Sequence, residues 1–312
     1  MSDEFDPAAG PSRRQLLKCM MWGSAGVLWA VSGGVPRPFG LGGGALAAAP
    51  AVGDFTFMQI SDTHIGFKGA TNPDPAGTLK EALAKVGAVR PAMLLHTGDV
   101  SHLAKPEEFE MAAAIMKSAN LETHYVPGEH DTIGDNGTSF FERFGSEKST
   151  GGWYSFDQGG VHFIGLVNVV DLRPGGLGYL GPTQIKWLED DVKGKSASTP
   201  IVVFAHMPLW TVSADWGWGT DDAAQAIDLL KRFGSVTVLN GHIHQVIQKV
   251  EGNVSFRTAY STAFPQAAPD TPGAKPGPLM VAAEKLRSML GVRRVDVVHD
   301  KAVMLSDATL AS

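Results

Sequence analysis

Apolar residues fall in short bursts along this chain, and five of these bursts run straight into acidic or imidazole side chains. Residues 55–60 (Phe-Thr-Phe-Met-Gln-Ile) read as a strand that ends at Ser61-Asp62. Residues 91–96 are a second strand, leading to Thr97-Gly98-Asp99, and 122–126 a third, halted by Pro127-Gly128. Residues 201–204 lead to His206 and 236–239 to Gly241. Helical spacing separates them. Leu79, Leu83 and Val86 share one face of a helix over 78–89, and Pro106 opens a helix over 107–119. Further helices are expected over 183–192 and 223–233, the last capped by Asp221 or Asp222. A hairpin is expected from 153–156 and 161–167 across Gly159-Gly160, with β-rich sequence at 254–260 and 292–299. The proline-rich stretch 265–278 reads as a long loop. Strand, polar block, helix is the recurring unit, so the expected class is α/β, with its ligand site at the C-terminal ends of the strands.

The blocks are Asp62-Thr63-His64, Gly98-Asp99, Gly128-Glu129-His130-Asp131, His206 in Ala-His-Met-Pro, and Gly241-His242-Ile243-His244. Imidazole and carboxylate without thiolate suit borderline to hard divalent metals. Their number exceeds what one closed tetrahedral site needs, which points to two cations. Alternate residues of an extended segment share a face, so Asp62 can converge with His64 and His242 with His244. Asp99 follows a glycine that permits close approach and is the natural bridging ligand. Two cations ~3.5–4 Å apart lower the pKa of a bound water and clamp an in-line displacement, most often at phosphorus. His130, followed by Asp131, suits another role: an imidazole held by a carboxylate is a good general acid for a leaving alkoxide.

The formal net charge of −6 over 312 residues argues against nonspecific binding to nucleic acid or anionic membrane. The only cysteine, Cys19, lies in an N-terminal segment with a separate character. Ser12-Arg13-Arg14-Gln15-Leu16-Leu17-Lys18 resembles a twin-arginine export signal. An uncharged, glycine-containing stretch over 19–36 follows, then small-residue cleavage sites at 45–49. The expected organisation is a cleaved signal over 1–49 and one domain over 50–312. The twin-arginine export machinery would be a partner, the location periplasmic or otherwise exported, and no stable membrane insertion would remain after cleavage.

Taken together, the blocks resemble the calcineurin-like metallophosphoesterase superfamily, whose pattern is D-x-H, G-D, G-N-H-D/E, H, G-H-x-H. The resemblance spans residues 54–262 and includes the Trp153-Tyr-Ser-Phe hairpin and Gly181-Pro-Thr-Gln-Ile-Lys-Trp-Leu188. It implies a four-layer α/β/β/α sandwich of two mixed β-sheets flanked by helices. It also implies two divalent or mixed-valence metal ions (Fe, Mn or Zn) and a small phosphorylated substrate. By carry-over, Asp62, His64, Asp99 and His244 hold one metal. Asp99, position 129, His206 and His242 hold the other, and His130 donates a proton to the leaving group. The implied reaction is hydrolysis of phosphate mono- or diesters through a metal-bridging hydroxide.

One position departs from the pattern. Glu129 stands where the family has Asn, one methylene longer and charged. It can ligate and tighten the second metal while reducing its Lewis acidity, favour a harder or more highly charged ion, or swing away. Ligation is the expected outcome. The rival reading is a metal-binding, redox or partner-binding protein on the same scaffold, with hydrolysis weakened by Glu129. Trp210, Trp216 and Trp218 follow His206 closely and could form an aromatic wall for substrate; the alternative is packing of a long loop. His96 is expected in the core, and His102 beside the metal ligands.

Overall fold

The computed structural model describes residues 27–32, 35–40, 53–146, 149, 151–269, 271–298 and 303–312. The chain divides into two compact units, Met1–Ala48 and Ala49–Ser312. In the first, β1 (Val27–Ser32) pairs antiparallel with β2 (Val35–Gly40). The expected twin-arginine motif, Cys19 and the cleavage sites lie outside the described residues, as does His299. Among the described residues no helix is long and apolar enough to cross a membrane.

In the second unit, strand β3 (Phe55–Ile60) lies between two cores. Phe57 points into one with Phe163, Phe204 and Leu239. Met58 and Ile60 point the other way, into a core with Leu79, Val86 and Phe109. This is the two-residue period of a strand buried on both faces. Strand β8 (Ile201–Phe204) repeats the division: Val202 and Phe204 join Phe57, whereas Ile201 and Val203 join Leu188 and Leu230. The layers follow from these residues. Helices α1 (Pro75–Val89), α2 (Pro106–Lys117) and α3 (Thr138–Phe144) cover one sheet; α4 (Gly181–Val192) and α5 (Ala223–Leu230) cover the other. The two sheets meet on the Phe57 core, where the Phe57 and Phe163 rings cross edge to face at 5.3 Å. Each such buried ring contributes roughly 1.5–3 kcal/mol through removal of apolar surface from water.

Both sheets are mixed. The five-stranded sheet runs β13 (Met304–Thr309), β12 (Gly291–Val297), β3, β4 (Leu94–His96), β5 (Thr123–Tyr125), with β3, β4 and β5 parallel. The six-stranded sheet runs β10 (Gln248–Glu251), β11 (Val254–Thr258), β9 (Val236–Asn240), β8, β7 (Val161–Gly165), β6 (Tyr154–Gln158). Its inner strands β11, β9, β8 and β7 are parallel. The five polar blocks follow β3, β4, β5, β8 and β9, so the parallel strands of both sheets deliver them to one end of the sandwich.

Local chemistry moves several expected boundaries. Helix α1 begins at Pro75, ahead of the expected start, because the Asp74 carboxylate accepts the Gly77 N–H at 2.8 Å. Asp222 occupies the N-cap position of α5 but does not cap it. Its carboxylate instead accepts the N–H groups of Leu180 and Gly181 at 2.9 and 2.8 Å, where α4 begins. The expected cap of 223–233 is thereby corrected: one buried carboxylate serves the neighbouring helix. Strands β10 and β13 were not expected; β10 is exposed throughout and lacks the apolar alternation that marks a buried strand.

Candidate metal centre

Asp62, His64, Asp99, His242 and His244 all have left-handed backbones, with φ of +54°, +40°, +53°, +70° and +54°. This corrects the expectation that Asp62–His64 and His242–His244 converge through extended segments. They converge because the chain turns sharply as it leaves each strand. Such conformations cost of order 1–2 kcal/mol per residue and persist only where the surroundings hold them. Here the blocks hold one another. Asp62 N–H donates to Gly98 O at 3.0 Å, His64 N–H to Asp99 O at 2.9 Å and Gly241 N–H to His206 O at 2.9 Å. The Asp62 carboxylate accepts His242 N–H at 3.0 Å. Gly128 has no side chain because a Cβ there would collide with the Asp99 carboxylate.

The structure brings all seven expected ligands together in two sets. Asp62, His64, Asp99 and His244 form one, all buried; Glu129, His206 and His242 form the other. Within the first, His64 Nε2 lies 3.3 Å from both His244 Nε2 and Asp99 Oδ2, and His244 Nε2 3.3 Å from Asp62 Oδ1. Asp99 Oδ2 also stands 3.4 Å from His206 Nε2, so a single oxygen faces both sets. In the second set Glu129 straddles two imidazoles: Oε2 is 2.8 Å from His206 Nε2 and Oε1 is 2.9 Å from His242 Nδ1.

The outer nitrogens show which atoms are free to ligate. His206 Nδ1 is 2.7 Å from Thr97 O, and His244 Nδ1 is 2.6 Å from Phe264 O. A carbonyl only accepts, so each Nδ1 carries a proton and each Nε2 faces inward, the nitrogen that would offer a lone pair to a cation. The chain has thus set these tautomers for cation binding. Sequence reasoning missed Thr97 and Phe264, because any residue can offer a carbonyl and no side-chain pattern marks them.

In the second set Glu129 Oε2, His206 Nε2 and both ring nitrogens of His242 are buried and touch at ion-pair distance at most, with no well-aligned hydrogen bond. A buried polar atom left without a well-formed hydrogen bond is costly. A cation among them would satisfy all three residues, so the donor set fits a metal. Electrostatics agree. Burial works against a charged His206, yet the Asp99 and Glu129 carboxylates hold its imidazole well above its ordinary pKa. Burial likewise opposes Glu129 ionisation, but His242 and His206 hold it well below the usual carboxylate range. These positions call for positive charge. His64 is the opposite case: burial first, then neighbouring imidazoles, keep it neutral and able to ligate.

A family model described as calcineurin-like phosphoesterase matches residues 55–246, a span containing every one of these ligands. The chain belongs to the calcineurin-like phosphoesterase family. A 3′,5′-cyclic-nucleotide phosphodiesterase from Nostoc sp. is 26% identical over 219 residues, 67% of this chain and 79% of that protein. A dimetal phosphatase from Danio rerio superposes with TM-score 0.61 at 14% identity, over 82% of this chain and 98% of that one. A purple acid phosphatase from yellow lupin (Lupinus luteus) seeds superposes with TM-score 0.62 at 13% identity, over 83% of this chain and 52% of that one. At such identities the structural likeness shows the fold alone. Family membership makes the chain a metal-dependent phosphoesterase.

The phosphoesterase's remaining candidates are arranged differently from expectation. His130 reaches the centre, with a ligand atom grouped with those of Asp99 and Glu129. Its Nδ1, however, bonds His102 O at 2.6 Å and not Asp131. Asp131 is buried and accepts the N–H groups of Val100, Ser101 and Gly128 at 3.0, 2.8 and 3.0 Å, plus the Ser101 hydroxyl at 2.8 Å. The expected His130–Asp131 pair is therefore corrected: Asp131 ties the loop after β4 to the loop after β5, and a carbonyl orients His130. Burial works against a charged His130, but Asp99, Glu129 and the His102 carbonyl raise its pKa. His102 stacks on His130 at 4.9 Å and its Nδ1 lies 3.3 Å from His64 Nδ1. His96 is core, as expected: burial lowers its pKa to about 3, and it accepts Gly98 N–H at 3.3 Å.

The tryptophans follow the loop-packing alternative. Trp218 is 1% exposed and meets Trp216 edge to face at 4.9 Å. Trp210 packs with Phe256 in the outer helical layer. Their rings are occupied by core contacts, which removes Trp210 and Trp218 as a free aromatic wall; Trp216 is half-buried against Trp218.

Proposed function

We propose that this chain is an exported phosphoesterase that hydrolyses phosphate mono- or diesters at a two-cation centre, with Glu129 as a charged ligand and His130 as proton donor. The observation that carries the reading is the convergence of buried ligand atoms on Glu129, His206 and His242, without well-aligned hydrogen bonds, beside the buried Asp62, His64, Asp99 and His244. Asp62, His64, Asp99 and His244 would hold one cation; Asp99, Glu129, His206 and His242 the other. Bound there, divalent or mixed-valence ions of Fe, Mn or Zn would supply Lewis acidity and a water acidified enough to act as nucleophile. The chain's own residues supply the rest. His130 is oriented by its Nδ1 contact with the His102 carbonyl, and with a ring nitrogen grouped with the Asp99 and Glu129 ligand atoms it would deliver a proton to the leaving oxygen. Asp131 fixes the loop carrying His130 through the Gly128 and Ser101 N–H groups.

The substrate we infer is a small phosphoester, in keeping with the Nostoc relative's name. Export by the twin-arginine machinery to the periplasm is supported by Ser12-Arg13-Arg14-Gln15-Leu16-Leu17-Lys18 and the small residues at 45–49.

The test is turnover of 4-nitrophenyl phosphate and bis(4-nitrophenyl) phosphate by protein loaded with Mn, Fe, Zn or Ni. Wild type should turn over at least one, and His130→Ala should lose about 10²–10⁴-fold in kcat while retaining its metals. If wild type is inactive with every metal and Glu129→Asn gains activity, the metal-binding or partner-binding reading replaces this one.

A further inference from the structure

A cavity of about 490 Å³ opens beside His102, large enough for a small organic group. It belongs to the centre's surroundings: His102 lines it, stacks on His130 at 4.9 Å and meets His64 across 3.3 Å. Phe67 forms part of the wall and packs on Phe264, whose ring stacks on His64 at 4.7 Å. Leu103 and Met111, 43% and 51% exposed, add apolar surface to the wall. Lys68 and Lys105 add charge. Among the described residues, neither ammonium has a hydrogen bond or ion pair.

Two acids also line the cavity, and one of them is already answered. Glu108 is buried and accepts the N–H groups of His102 and Leu103 at 3.2 and 2.7 Å. Glu107 sits in the first turn of α2, against the positive end of the helix dipole. Among the described residues Lys68, Lys105 and Glu107 have no side-chain partner, so two ammonium groups face one open carboxylate and the free charge of the cavity is positive.

We propose that this cavity holds the leaving alcohol of the substrate, and that this alcohol carries an anionic group on an apolar frame. The inference rests on the phosphoesterase reading, in which His130 protonates the leaving oxygen. A group attached to that oxygen lies next to His130, and the stacked His102 ring is the wall it shares with the cavity. Phe67, Leu103 and Met111 cover the apolar frame; Lys68 and Lys105 meet the anion. Esters with neutral leaving groups use the metal centre without this contact.

The experiment compares two chromogenic monoesters, 4-nitrophenyl phosphate and 4-carboxy-2-nitrophenyl phosphate, on metal-loaded enzyme. In Lys68→Ala/Lys105→Ala the ratio of KM for the carboxylated ester to KM for the uncharged one should rise about tenfold, since two exposed ion pairs are lost. Lys117→Ala, an exposed lysine in the last turn of α2, should leave that ratio unchanged. An unchanged ratio in the double variant, or an equal rise in Lys117→Ala, overturns the proposal. If wild type hydrolyses neither monoester, the ratio cannot be read, and the phosphoesterase reading itself fails only if bis(4-nitrophenyl) phosphate is also left intact. Calorimetry with 4-hydroxy-3-nitrobenzoate on Mn-loaded protein then decides the cavity: binding lost in the double variant supports it, and no binding to wild type overturns it.

Discussion

Replacing Glu129 by Gln keeps the side chain's length and one oxygen but removes its charge. Oε2 lies 2.8 Å from His206 Nε2 and Oε1 2.9 Å from His242 Nδ1, so a cation between these imidazoles would sit within ~4 Å of the carboxylate. At an effective dielectric of about 20, a unit charge and a dication at that distance attract by roughly 8 kcal/mol. The side chain is 24% exposed, so its own hydration offsets much of this, and the Gln oxygen retains part of the contact. A net loss of about 3 kcal/mol is reasonable, which is roughly 150-fold in Kd. The assay is competition between the protein and a chromogenic chelator for Mn or Zn, resolved into two sites. One site should weaken by about that factor in Glu129→Gln, while the site built on Asp62, His64 and His244 holds. Equal weakening of both sites, or none, would refute Glu129 as a ligand to one cation.

Chelation should lower the melting temperature, because cations bind only the assembled site; at a hundredfold excess over Kd the stabilisation is about 2.7 kcal/mol, readable by calorimetry with and without EDTA. Asp222→Ala should destabilise by about 1–2 kcal/mol in urea unfolding, since it removes the acceptor for two N–H groups at the start of α4. His162 has Asp157 and Asp191 each 2.7 Å from a ring nitrogen. Burial raises both acids, yet their hydrogen bonds with His162, aided by Lys195 and Ser155, hold them below the ordinary 3.8. Depressed carboxylate pKa values stabilise above about pH 4 and lose the effect as pH falls through the lower folded values. His162→Gln should therefore cost about 2 kcal/mol at pH 7, mostly through the less exposed Asp191, and its deficit should shrink below pH 4.

Much of this fold is legible in the chain because its inner strands are buried on both faces. Phe55–Ile60 and Ile201–Phe204 are apolar runs that end abruptly on polar blocks, so strand type and site position could be read together. The exposed edge strand Gln248–Glu251 has no such run, since its pairing with β11 rests on backbone hydrogen bonds that any residue can make. The candidate ligands are legible as side-chain types. Their geometry is not: the left-handed φ at Asp62, His64, Asp99, His242 and His244 follows from how the blocks hydrogen-bond one another across two sheets. His130 and Asp131 are adjacent in sequence but face different partners, because the one-turn helix Glu129–Thr132 points them apart. Trp218 could not be told from an active-site aromatic, as burial at 1% depends on a loop that returns over it.

Anomalous X-ray diffraction from crystals equilibrated with Mn tests the central claim most directly. The account predicts two peaks bridged by Asp99, one bounded by Asp62, His64 and His244, the other by Glu129, His206 and His242. A single peak, or a second one with the Glu129 carboxylate turned away, would contradict it.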